Sequence, residues 1–146
     1  MKNIKEKISF IVAFIISYFL LLTLGLAFFG KSLINIEIEL IKLILSTPIN
    51  YDSFVFVAEC SGIVAISCYL AIIIGLYIIK QYRKNIKWIN VIYSCIFLFI
   101  WNIIRIVLVL LSERISFSFA EVTHVLFWFV TFILIVWLTT KSVKKK

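Results

Sequence analysis

Four long apolar stretches punctuate the chain, at residues 10–29, 62–79, 88–111 and 124–140, with short polar segments between them. Each has about the 17–25 residues that an α-helix needs to cross a bilayer core. The segment 33–46 has a different rhythm: Asn35, Glu39, Lys42 and Ser46 recur at steps of four, three and four. Ile36, Leu40, Ile41, Leu43, Ile44 and Leu45 fill the other faces. That spacing predicts an amphipathic helix lying at the extracytoplasmic interface. Pro48 ends it, because proline lacks the N–H that would continue the ladder. The expected architecture is an all-α, polytopic membrane bundle of four spans plus this interfacial helix. Helices are the form in which an apolar chain satisfies its own backbone in lipid.

Composition sharpens the picture. Hydrophobic residues make up 64% of the chain and mean hydropathy is +1.15, well above the near-even balance of a soluble domain. A single integral membrane domain, 1–146, leaves no room for a soluble one. The net charge of +8 does not point to nucleic acid, because the basic residues sit at the ends of apolar runs. Lys2, Lys5 and Lys7 precede the first run, which reads as a retained span rather than a cleaved signal. Lys80, Arg83, Lys84 and Lys87 follow the second, and Lys141, Lys144, Lys145 and Lys146 follow the fourth. Four spans put these clusters on one side, expected to be cytoplasmic, with both termini there. Glu37, Glu39, Asp52, Glu59, Glu113 and Glu121 fall on the opposite side.

Three residues are out of keeping with an apolar chain. Arg105 lies inside the third run, one turn after Asn102, on the face Leu98–Asn102–Arg105–Val109. With span three running outward and ending at Leu111, Arg105 is about 9 Å below the outer end. Cys60 and His124 stand at the outer entrances of the second and fourth spans, so all three approach one leaflet. A guanidinium and a helix N-terminus beside a thiol favour its thiolate, the form that attacks carbonyls. An imidazole moves protons near neutrality. Ser61 and Gly62 either start the helix and pack closely or supply donors to an oxyanion. Glu59 and Glu121 are acids that could orient His124 or pair with Arg105, and each reads equally well as an interface charge. The bland alternatives stand beside these: a snorkelling arginine, an inert thiol and a surface histidine. Cys68 and Cys95 read as small core residues. Tyr18, Tyr69, Trp128 and Trp137 read as packing or interfacial aromatics. With three cysteines, no CxxC and one histidine, neither a disulfide scaffold nor a metal set is expected.

Val57-Ala58-Glu59-Cys60-Ser61-Gly62-Ile63, then Asn102-Ile103-Ile104-Arg105, then His124 form an ordered series on three spans. Over residues 50–135 this series resembles the exosortase/archaeosortase family, in particular its small archaeosortase-like members. The resemblance implies a membrane-embedded cysteine protease or transpeptidase. Cys60 would be the nucleophile, with Arg105 and His124 assisting. Its substrates would be surface proteins ending in a short motif, an apolar span and a basic tail. These would be cut at the outer leaflet and passed to water or to an acceptor such as an amine-bearing lipid. No cofactor and no nucleic acid are implied. The chain departs from the family at Trp128, where relatives often carry glycine one turn after the third basic residue, and in its short length. A different class remains open: a catalytically silent membrane subunit that binds a transmembrane helix or anionic lipid. A channel fits less well, because one Asn–Arg face gives no continuous polar route across the bilayer.

Overall fold

The computed structural model describes residues 4–45 and 62–143, apart from the side chains at 80 and 81. It contains five helices: α1 (Ile4–Leu45), α2 (Ile63–Ile78), α3 (Lys80–Arg83), α4 (Trp88–Glu113) and α5 (Phe117–Ser142). No β-sheet is present among the described residues; an isolated bridge joins Ile86 to Val143. Helices α1, α4 and α5 are long and apolar enough to cross a membrane. Among the described residues the chain is therefore an all-α bundle with three such helices, as befits a membrane protein, and α2, at 16 residues, is shorter.

Residues 33–45 do not form a separate interfacial helix but continue α1 without a break. Nothing in Lys31–Leu45 stops a helix, and the expected breaker, Pro48, lies outside the described residues. The polar positions Asn35, Glu39 and Lys42 are exposed as the spacing predicts, and Glu39 holds Lys42 at 2.9 Å. The opposite stripe, Gly30, Glu37 and Ile41, is buried.

Helix α2 is enclosed by its neighbours. Ile63, Ala65, Ser67, Tyr69, Ala71, Ile73 and Gly75 are all buried, and its small residues let other helices approach. A Cβ on Gly75 would meet the Phe10 ring at 2.9 Å, and one on Gly25 would meet Ile63 Cγ2 at 2.9 Å. These contacts make α1 and α2 antiparallel. Further along, Ile41 of α1 packs in a cluster with Ile103, Ile106 and Leu110 of α4. The first part of α1 thus lies on α2 and its last part on α4, so it passes obliquely over the start of α2.

Helices α4 and α5 form an antiparallel hairpin across 114–116. Helix α5 begins at Phe117 rather than near residue 124, because the Ser116 side chain accepts the Phe119 N–H at 3.1 Å and caps it. The Thr123 hydroxyl donates to Phe119 O at 2.7 Å, so it does not compete with the helix. At the other end of the hairpin, Lys87 N donates to Ser142 O at 2.8 Å and Asn90 Nδ2 to Lys141 O at 2.9 Å. Tyr69 and Ser142 share a buried hydroxyl–hydroxyl bond of 2.6 Å that ties α2 to this end.

Candidate functional site

The buried residues of α4 recur at three- and four-residue steps: Val91, Ser94, Leu98, Asn102, Arg105, Val109 and Ser112. Leu98, Asn102, Arg105 and Val109 therefore share an inward face, and Arg105 is only 2% exposed. Enclosure by protein is how a span carries a guanidinium at tolerable cost. Eight residues before Glu113, it lies about 12 Å from the helix end.

Two side chains of α5 meet it. The Arg105 guanidinium lies over the Trp128 ring, 4.6 Å from its centroid. Trp128 Nε1 in turn donates to His124 Nε2 at 3.0 Å, one helical turn away. Trp128, expected from the sequence to be a packing or interfacial aromatic, is thus the link between the arginine and the histidine. Because helix α5 starts early, His124 stands about 10 Å inside it rather than at its entrance. The bond also fixes its chemistry. A ring nitrogen that accepts an N–H carries no proton, so the neutral imidazole holds its proton on Nδ1 and presents a donor there.

One turn earlier on the same face of α4, Asn102 Nδ2 donates to Glu37 Oε1 at 2.9 Å, and Gly62 N donates to the same oxygen at 3.1 Å. Gly62 immediately precedes α2, so a carboxylate from α1 satisfies one of the N–H groups that a helix start leaves open. The fit is close: a Cβ on Gly62 would lie 3.4 Å from Glu37 Oε1 and 3.5 Å from Asn102 Cβ. Glu37 is fully buried, and its other oxygen, Oε2, has no hydrogen-bond partner among the described residues. Arg105 lies within electrostatic reach of both Glu37 and His124.

Of the residues singled out from the sequence, Gly62, Asn102, Arg105 and His124 are brought to one level of the bundle. Glu121 is exposed on α5. Cys60, Ser61 and Glu59 lie outside the described residues. Cys68 and Cys95 are half-buried and free, and both pack against the apolar core around Tyr69, as expected. Among the described residues no cluster of metal-ligating side chains occurs. Glu37 was missed by the sequence reading. Its signal was available: it shares a helical stripe with Ile41, four residues on, away from the polar stripe of Asn35, Glu39 and Lys42. An acid on the apolar side of an amphipathic helix marks a buried, partnered carboxylate.

Comparison with protein-family models, with curated proteins and with solved structures returned no match.

Proposed function

We propose that this protein is a membrane-embedded cysteine protease or transpeptidase that processes C-terminal sorting signals at the outer leaflet. The observation that carries the reading is the position of Gly62. Its N–H lies in the same buried cluster as Asn102, whose helix presents Arg105 one turn further on. Cys60 precedes Gly62 by two residues, so covalent geometry holds its Cα within about 7 Å of that glycine. In this reading the tethered thiol works with a buried guanidinium, a helix start and an imidazole donor. Those are the elements of acyl transfer: a nucleophile, an electrostatic clamp for the developing oxyanion and a proton carrier. In this reading the Cys60 sulfur bonds to the peptide carbonyl carbon, giving a tetrahedral intermediate that collapses to a thioester as the C–N bond breaks, the thiol proton ending on the leaving amine. Arg105 and the Nδ1–H of His124 stabilise the oxyanion, with Ser61 and Gly62 beside them. Water or an amine-bearing lipid resolves the thioester. The substrate's apolar span enters beside α2, α4 and α5, and its basic tail stays with the Lys80–Lys87 cluster. Both termini are cytoplasmic and α2 acts as the fourth crossing element. No metal or organic cofactor takes part in these steps.

The test is co-expression with proteins from the same genome that end in a motif, an apolar span and a basic tail. Processing is expected with the natural chain and is expected to vanish in Cys60→Ala and Cys60→Ser. Processing that survives both substitutions refutes the reading in favour of a binding subunit.

A further inference from the structure

We propose that the end of the bundle where α1 and α4 begin is a binding site for a phospholipid with a net negative headgroup. The site shares no residue with the cluster around Arg105, so it does not depend on the peptidase reading. Contacts between helices gather its charge. Phe10 packs at Gly75, which sets the start of α1, with Lys5 and Lys7, beside the end of α2. Lys87 N donates to Ser142 O at 2.8 Å and Ile86 bridges to Val143. The end of α5, with Lys141, is thereby set beside the turn that carries Arg83, Lys84 and Lys87. These four basic side chains are exposed, and none is paired with an acid among the described residues. Glu6, half-buried in the first turn of α1, is the one acid described at this end.

The cations are held in place. The Arg83 guanidinium lies over the Tyr77 ring, 4.8 Å from its centroid, and the Lys141 ammonium lies 5.6 Å from that of Trp137. A guanidinium stacked by its face keeps its N–H donors in the plane, where they can meet an anion. The turn is itself hydrogen-bonded: Tyr82 N donates to Ile79 O at 2.9 Å and Asn85 N to Tyr82 O at 2.8 Å. Positive groups fixed beforehand spare a ligand the ordering cost that a loose basic tail would impose.

The occupant has to be apolar in part. Just after Lys87, Ile89, Tyr93, Ile96 and Ile100 follow one another along a single face of α4, each at least half exposed. Trp88, 54% exposed, sits beside the Tyr77 ring with centroids 5.9 Å apart. Such amphipathic rings settle at headgroup level. A phosphate at Arg83 and Lys87 with acyl chains laid along Ile89 to Ile100 answers both halves of the surface. A soluble phosphate answers the charge alone. Basic groups at a membrane surface draw anionic lipid, and here four are fixed around one place.

The test is native mass spectrometry of the full chain in zwitterionic detergent, titrated with phosphatidylglycerol or with phosphatidylcholine of the same acyl chains. The natural protein is expected to take phosphatidylglycerol at least tenfold more tightly. Arg83→Gln combined with Lys87→Gln is expected to remove most of that preference. Lys31→Gln combined with Arg114→Gln takes the same charge from exposed positions elsewhere and is expected to keep it. A preference that survives the first pair, or falls as far in the second, overturns the proposal, because net charge rather than this site would be responsible. Equal binding of the two lipids by the natural protein also overturns it and needs no variant to fold. Glycerol phosphate, the headgroup without its chains, is the third probe. It is expected not to compete, and displacement of phosphatidylglycerol by an equal concentration overturns the lipid assignment in favour of a soluble anion.

Discussion

Trp128 donates its indole N–H to His124 at 3.0 Å while its ring faces the Arg105 guanidinium at 4.6 Å. One side chain therefore sets the tautomer of the histidine and the position of the arginine. Trp128→Phe separates the two tasks, since it keeps a ring for the cation and removes the N–H. His124 is the sole histidine in the chain, so its ring nitrogens can be read by nitrogen-15 NMR without assignment. The natural protein is expected to show the Nδ1–H form, and Trp128→Phe a mixture of both tautomers with slower processing.

Arg105→Lys should be far from conservative. A lysine keeps the charge but loses the planar face that stacks on Trp128 and the donors that reach several partners at once. The lost cation–π contact is worth about 1–2 kcal/mol when desolvated. We expect a lower melting temperature in detergent, and at least a tenfold fall in processing by the variant under conditions where it remains folded.

Asn102→Ala removes one of the two donors on Glu37 Oε1. Leaving a buried carboxyl short of a partner costs about 1–3 kcal/mol. The change is read in a denaturant titration of the purified protein. Asn102→Asp should be worse, because it sets a second acid against the first in a buried place.

The bond between Tyr69 and Ser142 offers a test of the opposite end of the bundle. Tyr69→Phe and Ser142→Ala should each destabilise by about 1–2 kcal/mol, as each leaves a buried hydroxyl or loses one bond. The double variant should cost less than the two added together, since the second substitution removes the group that the first left unsatisfied. Comparable additivity would mean that the two hydroxyls do not act as a pair.

Orientation can be checked by membrane-impermeant labelling of single introduced cysteines in the basic loop at Lys84 and in the hairpin at Ile115. Lys84 is expected to be shielded in intact cells and Ile115 to be labelled.

How far the sequence revealed this arrangement depends on the residue. Leu98, Asn102, Arg105 and Val109 could be placed on one face because α4 keeps a three–four rhythm and buries that side. The start of α5 could not: Ser116, Ser118, Glu121 and Thr123 look like a loop, yet one serine caps the helix and the threonine hydroxyl turns back on its own backbone. The break expected after residue 29 fails for a related reason, since Lys31, Asn35 and Glu39 can all face outward from an uninterrupted helix. The burial of Glu37 could be read from its stripe, but its partners could not, nor could the contact of Trp128 with Arg105, because these join helices distant in the chain. Spacing within one helix says which side a residue takes, not what waits for it there.

Helix α1 has 42 residues, so it is about 63 Å long, roughly twice the depth of a hydrocarbon core. A rod of that length, inclined across α2 and α4, cannot keep one angle in bilayers of different thickness; thinner lipid lays it flatter and thicker lipid raises it. The carboxyl at Glu37 rides on that rod while its two donors belong to other helices. Acyl-chain length thereby becomes a control on how well the three meet, and short- and long-chain lipids should give different stabilities for the same sequence.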